Sequence, residues 1–413
     1  IFKYRKIMPS KVALSTQGRE RLDSILQHYT DNGSIPGIVA GAADKDRILY
    51  VGAAGVKDLA KPRNDPSNAL NVETSFLLFS TTKAITITAV FQLFEKGLID
   101  LNDPVSKYIP NFGSIKVIKS IDEETGDMEL EDVKTPPTIK NLTTHTAGFA
   151  YAFFNDKYRI IQEKKGKCNI LSSKWEEFDV PMSNQPGTQW EYGSNIDFLG
   201  RIVEEVSGMA LEEYFKKHIF EPLGCNTFKF NRTEQDLQNM ASLHVRTNDK
   251  NGFQSLGLDF TPMNPEFYCG GHGLFGTVGD YLKFLQVFLN GGTSPVTGKQ
   301  ILKKETIEEY AFKEQLSKIG DDIKVCALSG VQPQISNNAD FYPGVPKNWS
   351  DFFLINEEQL STGRSAGSLS WTGLANLYFF IDYKKGIVCY WAESVFPFFD
   401  DTTIKAFEQF ESE

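Results

Sequence analysis

The sequence predicts an α/β fold: one antiparallel sheet assembled from both ends of the chain and flanked by helices, with a mostly helical part between. Three observations predict it. Near the start, residues 37–43 and 48–53 are apolar runs on either side of a turn at Asp44-Lys45-Asp46, the pattern of paired strands. Near the end, residues 377–382 and 386–391 are apolar runs around Tyr383-Lys384-Lys385-Gly386. The long stretch between them carries mainly helical periodicities.

The elements follow in order. The spacing of Leu22, Ile25 and Leu26 predicts an amphipathic helix over 15–32, closed by Gly33. Residues 80–96 contain Ile85-Thr86-Ile87-Thr88, which alternates like a strand. The run is too long for one and ends Glu95-Lys96-Gly97, so a buried helix is expected. A polar hairpin fits 113–137 around Glu124-Thr125-Gly126-Asp127. Helices are expected over 196–206, 211–219 and 281–289, and a closing helix over 402–410. No repeat, low-complexity tract or linker interrupts the chain. Residues 15–413 read as a single catalytic domain, its α/β part at 15–83 and 261–413 and its helical part at 84–260. Residues 1–14 read as a tail, with Met8 a candidate start.

At 413 residues the chain can bury a large core, and its 32 phenylalanines suit a core and an apolar pocket equally. Forty-three basic residues against fifty-three acidic ones give a net charge of -10, which argues against a nucleic-acid or anionic-membrane surface. The basic clusters at 3–6 and at Lys164, Lys165 and Lys167 read as solvated faces. No apolar run is long enough to span a bilayer, and residues 1–10 lack the apolar centre of a signal peptide. Five scattered cysteines without a CxxC pair point to a reducing compartment, so a cytoplasmic protein is expected. Sequons at Asn141, Asn231 and Asn348 have no secretory context to support them.

Three segments can carry chemistry. In Ser80-Thr81-Thr82-Lys83 a helix places residues three apart on one face, so the Lys83 ammonium reaches the Ser80 hydroxyl. The helix N-terminus favours negative charge, and a desolvated lysine serves as a base for serine. The tetrapeptide alone is weak, because it occurs by chance in most chains of this length. The second segment, Trp190-Glu191-Tyr192-Gly193-Ser194-Asn195, precedes a helix. A tyrosine held against a lysine gives up its proton more readily, which makes Tyr192 a candidate base; packing at a helix start is the equal alternative. Third, Ser370-Trp371-Thr372-Gly373 lies directly ahead of the 377–382 strand. A glycine there lets the strand edge approach a ligand, and a backbone N–H can then help hold an oxyanion. A simple turn is the bland reading.

In order and setting, Ser80-Thr-Thr-Lys83, Tyr192 and Trp371-Thr-Gly373 resemble the three motifs of the serine β-lactamase and penicillin-binding superfamily, and within it the class C β-lactamase-like esterases. Further stretches are similar to the same family: Leu98-Ile-Asp-Leu-Asn-Asp-Pro-Val105, Leu142-Thr-Thr-His-Thr-Ala-Gly148, Glu221-Pro-Leu-Gly224 and Gly270-Gly-His-Gly-Leu-Phe-Gly-Thr277. Together they run from about residue 15 to 400. The tail, Trp371-Thr-Gly-Leu-Ala-Asn376 with Ile381-Asp382 and Ser394-Val-Phe-Pro-Phe398, is similar to fungal transesterases of the statin side-chain acyltransferase type. Two departures stand out. Trp371 replaces the lysine of β-lactamases and peptidases, and Tyr-Gly-Ser-Asn replaces Tyr-x-Asn, leaving Ser194 or Asn195 for the asparagine's role.

The resemblance implies a β-lactamase/transpeptidase-like fold with the site between its two parts. It implies an acyl-enzyme on Ser80, with Lys83 and Tyr192 managing the proton. Trp371, Gly373, Leu374 and Asn195 would contact substrate, the N–H groups of Ser80 and Leu374 holding the oxyanion. The expected substrate is a small acyl ester or thioester, transferred to water or an alcohol, with no cofactor or metal. β-Lactamase or D-amino-acid peptidase activity would use the same machinery; a non-catalytic scaffold would have no need of it. Gly363-Arg364-Ser365-Ala366-Gly367 matches the GxSxG nucleophile elbow, but that fold places its histidine after the serine, and all five histidines (His28, His145, His218, His244, His272) precede Ser365. The histidines show no metal spacing, and His145 and His272 read as loop or core residues.

Overall fold

Two apolar runs flank a polar turn over 37–55, and the chain folds back there as Gly37–Asp44 and Ile48–Gly55, with Ala40 opposite Gly52. Asp44 closes the turn by accepting from the N–H groups of Asp46 and Arg47. The C-terminal hairpin forms likewise, Leu377–Asp382 against Ile387–Ala392, with Asp382 accepting from Lys385 N–H at 3.0 Å. The two hairpins merge because Gly37–Asp44 also pairs with Ile387–Ala392, Ala40 opposite Trp391. In this computed structural model the described residues are 14–413 without 248, 250, 251 and 259. The expected tail, with Met8 and the basic residues 3–6, lies outside them except for Leu14.

The sheet is wider than the sequence suggested. Residues 370–373, expected to lead into a strand, belong to a strand of their own, Leu369–Gly373, and two three-residue strands, Leu354–Asn356 and Lys347–Trp349, follow it outward. All seven strands are antiparallel to their neighbours. Three residues are too few for a period of two to show.

Alternation along one strand decides what covers each face. Tyr390 stacks on Tyr281 of the helix Val278–Leu289, ring centroids 4.2 Å apart. Its neighbour Trp391 points the other way, onto Phe407 and Phe410 of the closing helix Asp401–Ser412. That second face also carries the helix Thr16–Asp31, whose N-cap Ser15 accepts from Gly18 N–H at 3.0 Å. The expected helix at 80–96 is Thr82–Glu95, entered through a tight turn at Phe79–Thr81, and all its residues from Thr82 to Leu93 are buried.

The middle of the chain holds the helices Asn195–Ser207 and Leu211–Phe215, the latter running on through a wider π-helical turn at Lys216–Phe220. The polar hairpin is Val117–Ile121 with Met128–Glu131. A second hairpin, Leu243–Arg246 with Phe253–Gly257, was not legible in the sequence; it pairs with Val395–Phe396 and ties the middle to the C-terminal part. No helix among the described residues is long and apolar enough to cross a membrane, and all five cysteines are free.

The GxSxG segment has a structural job. Arg364, 1% exposed, makes a two-point ion pair with Glu411 of the closing helix and also donates to the Tyr342 hydroxyl at 2.6 Å. Ser365 N–H donates to Asp382 at 2.8 Å. Removing the arginine strands a buried carboxylate, so Arg364→Ala is expected to lower stability by about 3–5 kcal/mol in urea unfolding. Unchanged stability would show that water reaches Glu411.

Candidate active site

Ser80 stands where an extended segment meets a helix. Phe76–Leu77 pairs with Phe275–Gly276, Phe79 takes the left-handed conformation (φ 45°), and the helix follows at Thr82. A bulky residue at positive φ is strained, and the sharp corner it makes brings Ser80 to the pocket wall. One turn on, Lys83 is 2% exposed, and its Nζ donates to Ser80 Oγ (3.0 Å), the Tyr151 hydroxyl (3.0 Å) and the Gly271 carbonyl (2.7 Å). Nζ also lies 4.9 Å from the Tyr192 ring centre and 5.1 Å from that of Tyr151. Burial brings the ammonium down to about 7, with the Asp197 charge opposing it. A large share of Lys83 is therefore neutral near pH 7 and has a lone pair to offer the Ser80 proton.

Tyr192 behaves differently from the expectation. Burial holds its phenol well above the usual range, and the side chains of Ser80 and Trp371 offset only part of this. The lysine meets the ring face instead of the hydroxyl, so it does not draw the proton off. Tyr192 is a neutral phenol, able to pass a proton but not poised as the resting base. Its oxygen accepts from Trp371 Nε1 at 3.0 Å. Trp371 is held by Tyr192, Trp349 and Phe341, at 4.8, 4.6 and 5.4 Å between ring centres. The single donor of the indole is thus spent inside the protein.

The other expected contacts divide. Leu374 lines the pocket beside Ser80, Tyr151, Tyr192 and Trp371, and its N–H donates to no group among the described residues. Gly373 does not line the pocket. A Cβ there would sit 2.7 Å from the Leu78 carbonyl, so the glycine lets the strand close on the turn before Ser80, not on a ligand. Asn195 is fully buried and faces away: its amide donates to His145 Nδ1 (3.1 Å), Glu191 O (3.3 Å) and Phe149 O (3.4 Å). Ser194 does not line the pocket either. The third-party contact to Lys83 comes from Tyr151, which no local pattern announced beyond its place in the aromatic run Tyr151-Ala152-Phe153-Phe154. Burial, then the Asp197 charge, holds the Tyr151 phenol well above the ordinary range.

His145 is a core residue as expected, kept neutral by burial and by Lys83. His272 lines the pocket instead, with Nε2 3.0 Å from the Ile170 carbonyl and Nδ1 3.5 Å from Asp197. Asp197, Cys269 and His272 bring ligand-type atoms within 4.8 Å of one another. Burial and Asp197 hold the Cys269 thiol well above its usual range, hence protonated, and Asp197 Oδ1 is already taken by Gly271 N–H. Phe79, Phe153, Phe154, Ile170, Leu328, Thr372 and Phe398 complete a narrow cavity of about 10 Å³, room for roughly one water.

A serine paired with a desolvated lysine one helical turn on, against the inner strand Leu369–Gly373 of an antiparallel sheet, is the arrangement expected of a serine acyl-transfer protein of the penicillin-recognising kind. The chain belongs to the beta-lactamase family, whose sequence model, described as Beta-lactamase, matches residues 22–402. It is 26% identical over 390 residues to monacolin J acid methylbutanoyltransferase of Aspergillus terreus, covering 89% of this chain and 88% of that one. It is 27% identical over 376 residues to lovastatin esterase of Penicillium rubens, covering 89% and 90%. A mutant of simvastatin synthase from Aspergillus terreus superposes with a TM-score of 0.79 at 25% identity, covering 95% of this chain and 93% of that one.

Proposed function

We propose that the protein is a serine esterase or transesterase of the class C β-lactamase-like type, acting on small neutral acyl esters or thioesters through an acyl-enzyme on Ser80. One observation carries this reading: Ser80 Oγ lies 3.0 Å from a lysine that burial has brought to about 7, in a pocket lined largely by phenylalanine, tyrosine and tryptophan side chains. Ser80 Oγ forms a bond to the ester carbonyl carbon while its proton passes to Lys83 Nζ. The carbonyl oxygen becomes an oxyanion held by the N–H groups of Ser80 and Leu374. Collapse breaks the bond to the alkoxy oxygen, which leaves with a proton passed through Tyr192 and Lys83. Water or an alcohol then repeats the sequence in reverse and frees Ser80. The names of the relatives, a methylbutanoyltransferase and an esterase, support a short acyl group and either acceptor. Five free cysteines support a cytoplasmic setting.

Two measurements check this. Penicillins carry a carboxylate, and Trp371 stands where β-lactamases have a lysine, with its one donor already committed to Tyr192. Losing a charge-assisted hydrogen bond costs on the order of 1.5–3 kcal/mol, roughly ten- to hundredfold in affinity. Hence kcat/KM for p-nitrophenyl butyrate is expected to exceed that for nitrocefin on one preparation; a preference for nitrocefin would promote the lactamase alternative. The second is the pH profile. The base must be unprotonated, so kcat/KM should rise with pH through about 7, where Lys83 loses its proton. A profile flat from pH 5 to 8 removes Lys83 as the base.

A further inference from the structure

We propose that Asp197 is a positioning residue for acyl transfer, acting on Lys83 through the backbone of Gly271; this rests on the reading that Lys83 activates Ser80. Asp197 lies in the first turn of the helix Asn195–Ser207 and is fully buried. Gly271 N–H donates to its Oδ1 at 2.9 Å, and the carbonyl of the same Gly271 accepts from Lys83 Nζ at 2.7 Å, the shortest of that nitrogen's three hydrogen bonds. The two groups flank one residue, so the carboxylate fixes where the carbonyl points, and the carbonyl fixes where the amine points. The neighbouring Gly270 carbonyl is held by Thr86 Oγ1 at 2.6 Å, which fastens the same loop to the nucleophile's own helix.

The cradle is built closely around that carboxylate. A Cβ at Gly271 would lie 2.4 Å from Asp197 Oδ2, so only glycine fits. Oδ2 itself has no hydrogen-bond partner among the described residues. A buried, half-satisfied carboxylate is costly unless a nearby charge answers it, and the protonated form of Lys83 supplies that charge. The remaining titratable neighbours of the pair are Tyr151, Tyr192, Cys269, His145 and His272. The first three are held up and His145 held down by burial, so those four stay neutral around pH 7; His272 Nδ1 sits 3.5 Å from Oδ1. Asp197 therefore aims the lysine and, as an opposing charge, limits how readily it gives up its proton.

The two effects separate experimentally. Asp197→Asn keeps an oxygen for Gly271 N–H and removes the charge. The acid limb of its kcat/KM profile on p-nitrophenyl butyrate should move down by on the order of one pH unit. Asp197→Ala and Gly271→Ala, which break the cradle, should each lower kcat about ten- to hundredfold with KM nearly unchanged, and Asp197→Asn should lose less than either. An unmoved acid limb in Asp197→Asn, or losses that fall on KM, overturns the proposal. If Asp197→Asn does not fold, Gly271→Ala decides alone: a kcat loss at constant KM supports the cradle, and wild-type kcat refutes it. Mass detection of an acyl group on wild-type Ser80 reports separately on the underlying reading, so its failure is distinguishable.

Discussion

Ser80→Ala is expected to lower ester hydrolysis by on the order of 10⁴-fold or more, while Ser365→Ala stays near the wild-type level. Loss of a nucleophile leaves only binding and oxyanion stabilisation, and such residues act as a unit with their bases. Ser80 alone has a base in reach, Lys83 at 3.0 Å. Ser365 sits in a loop whose partners are structural: its N–H is held by Asp382, its carbonyl accepts from Asn356, and the preceding Arg364 clamps the closing helix. Removing its hydroxyl touches none of these. The pair should be assayed with p-nitrophenyl butyrate on protein shown to be folded. An active, folded Ser80→Ala together with an inactive Ser365→Ala would overturn the assignment of the site.

Lys83→Ala and Tyr192→Phe are each expected to cost about 10²–10⁴-fold in kcat, and the double variant little more than either alone. On the proposed mechanism the two residues do unlike jobs in one path: a neutral amine receives the Ser80 proton, and a protonated phenol hands one to the leaving oxygen. Break either link and the path carries nothing. Tyr192→Phe also leaves Trp371 Nε1 without its acceptor, a buried donor worth about 1–3 kcal/mol of stability, so unfolding curves must accompany the rates. Fully additive losses in the cycle would mean that the residues act independently.

The elements legible in the sequence are those whose signals are local. The hairpins at 37–55 and 377–392 announce themselves by apolar runs on either side of turn residues. The Ser80–Lys83 pair is legible because three residues along a helix bring two side chains together whatever surrounds them. The short strands 347–349 and 354–356 carried too few residues to show a period. Gly373 was visible as a close approach, but whether it meets a ligand or the Leu78 carbonyl depends on a turn nearly three hundred residues away.

By itself, then, the sequence determined the α/β architecture joined through both ends of the chain and a serine–lysine pair at the start of a buried helix. Tertiary structure alone decided how that pair is tuned. Tyr151 and Gly271 reach Lys83 across sequence separations of 68 and 188. Asp197 arrives on another helix, and Asn195 turns inward to His145. The same burial brings Lys83 down to about 7 and pushes Tyr192 up. Spacing along the chain fixes which side chains share a turn of helix. Desolvation and distant charges, which set where a proton rests, exist only once the chain has closed around them.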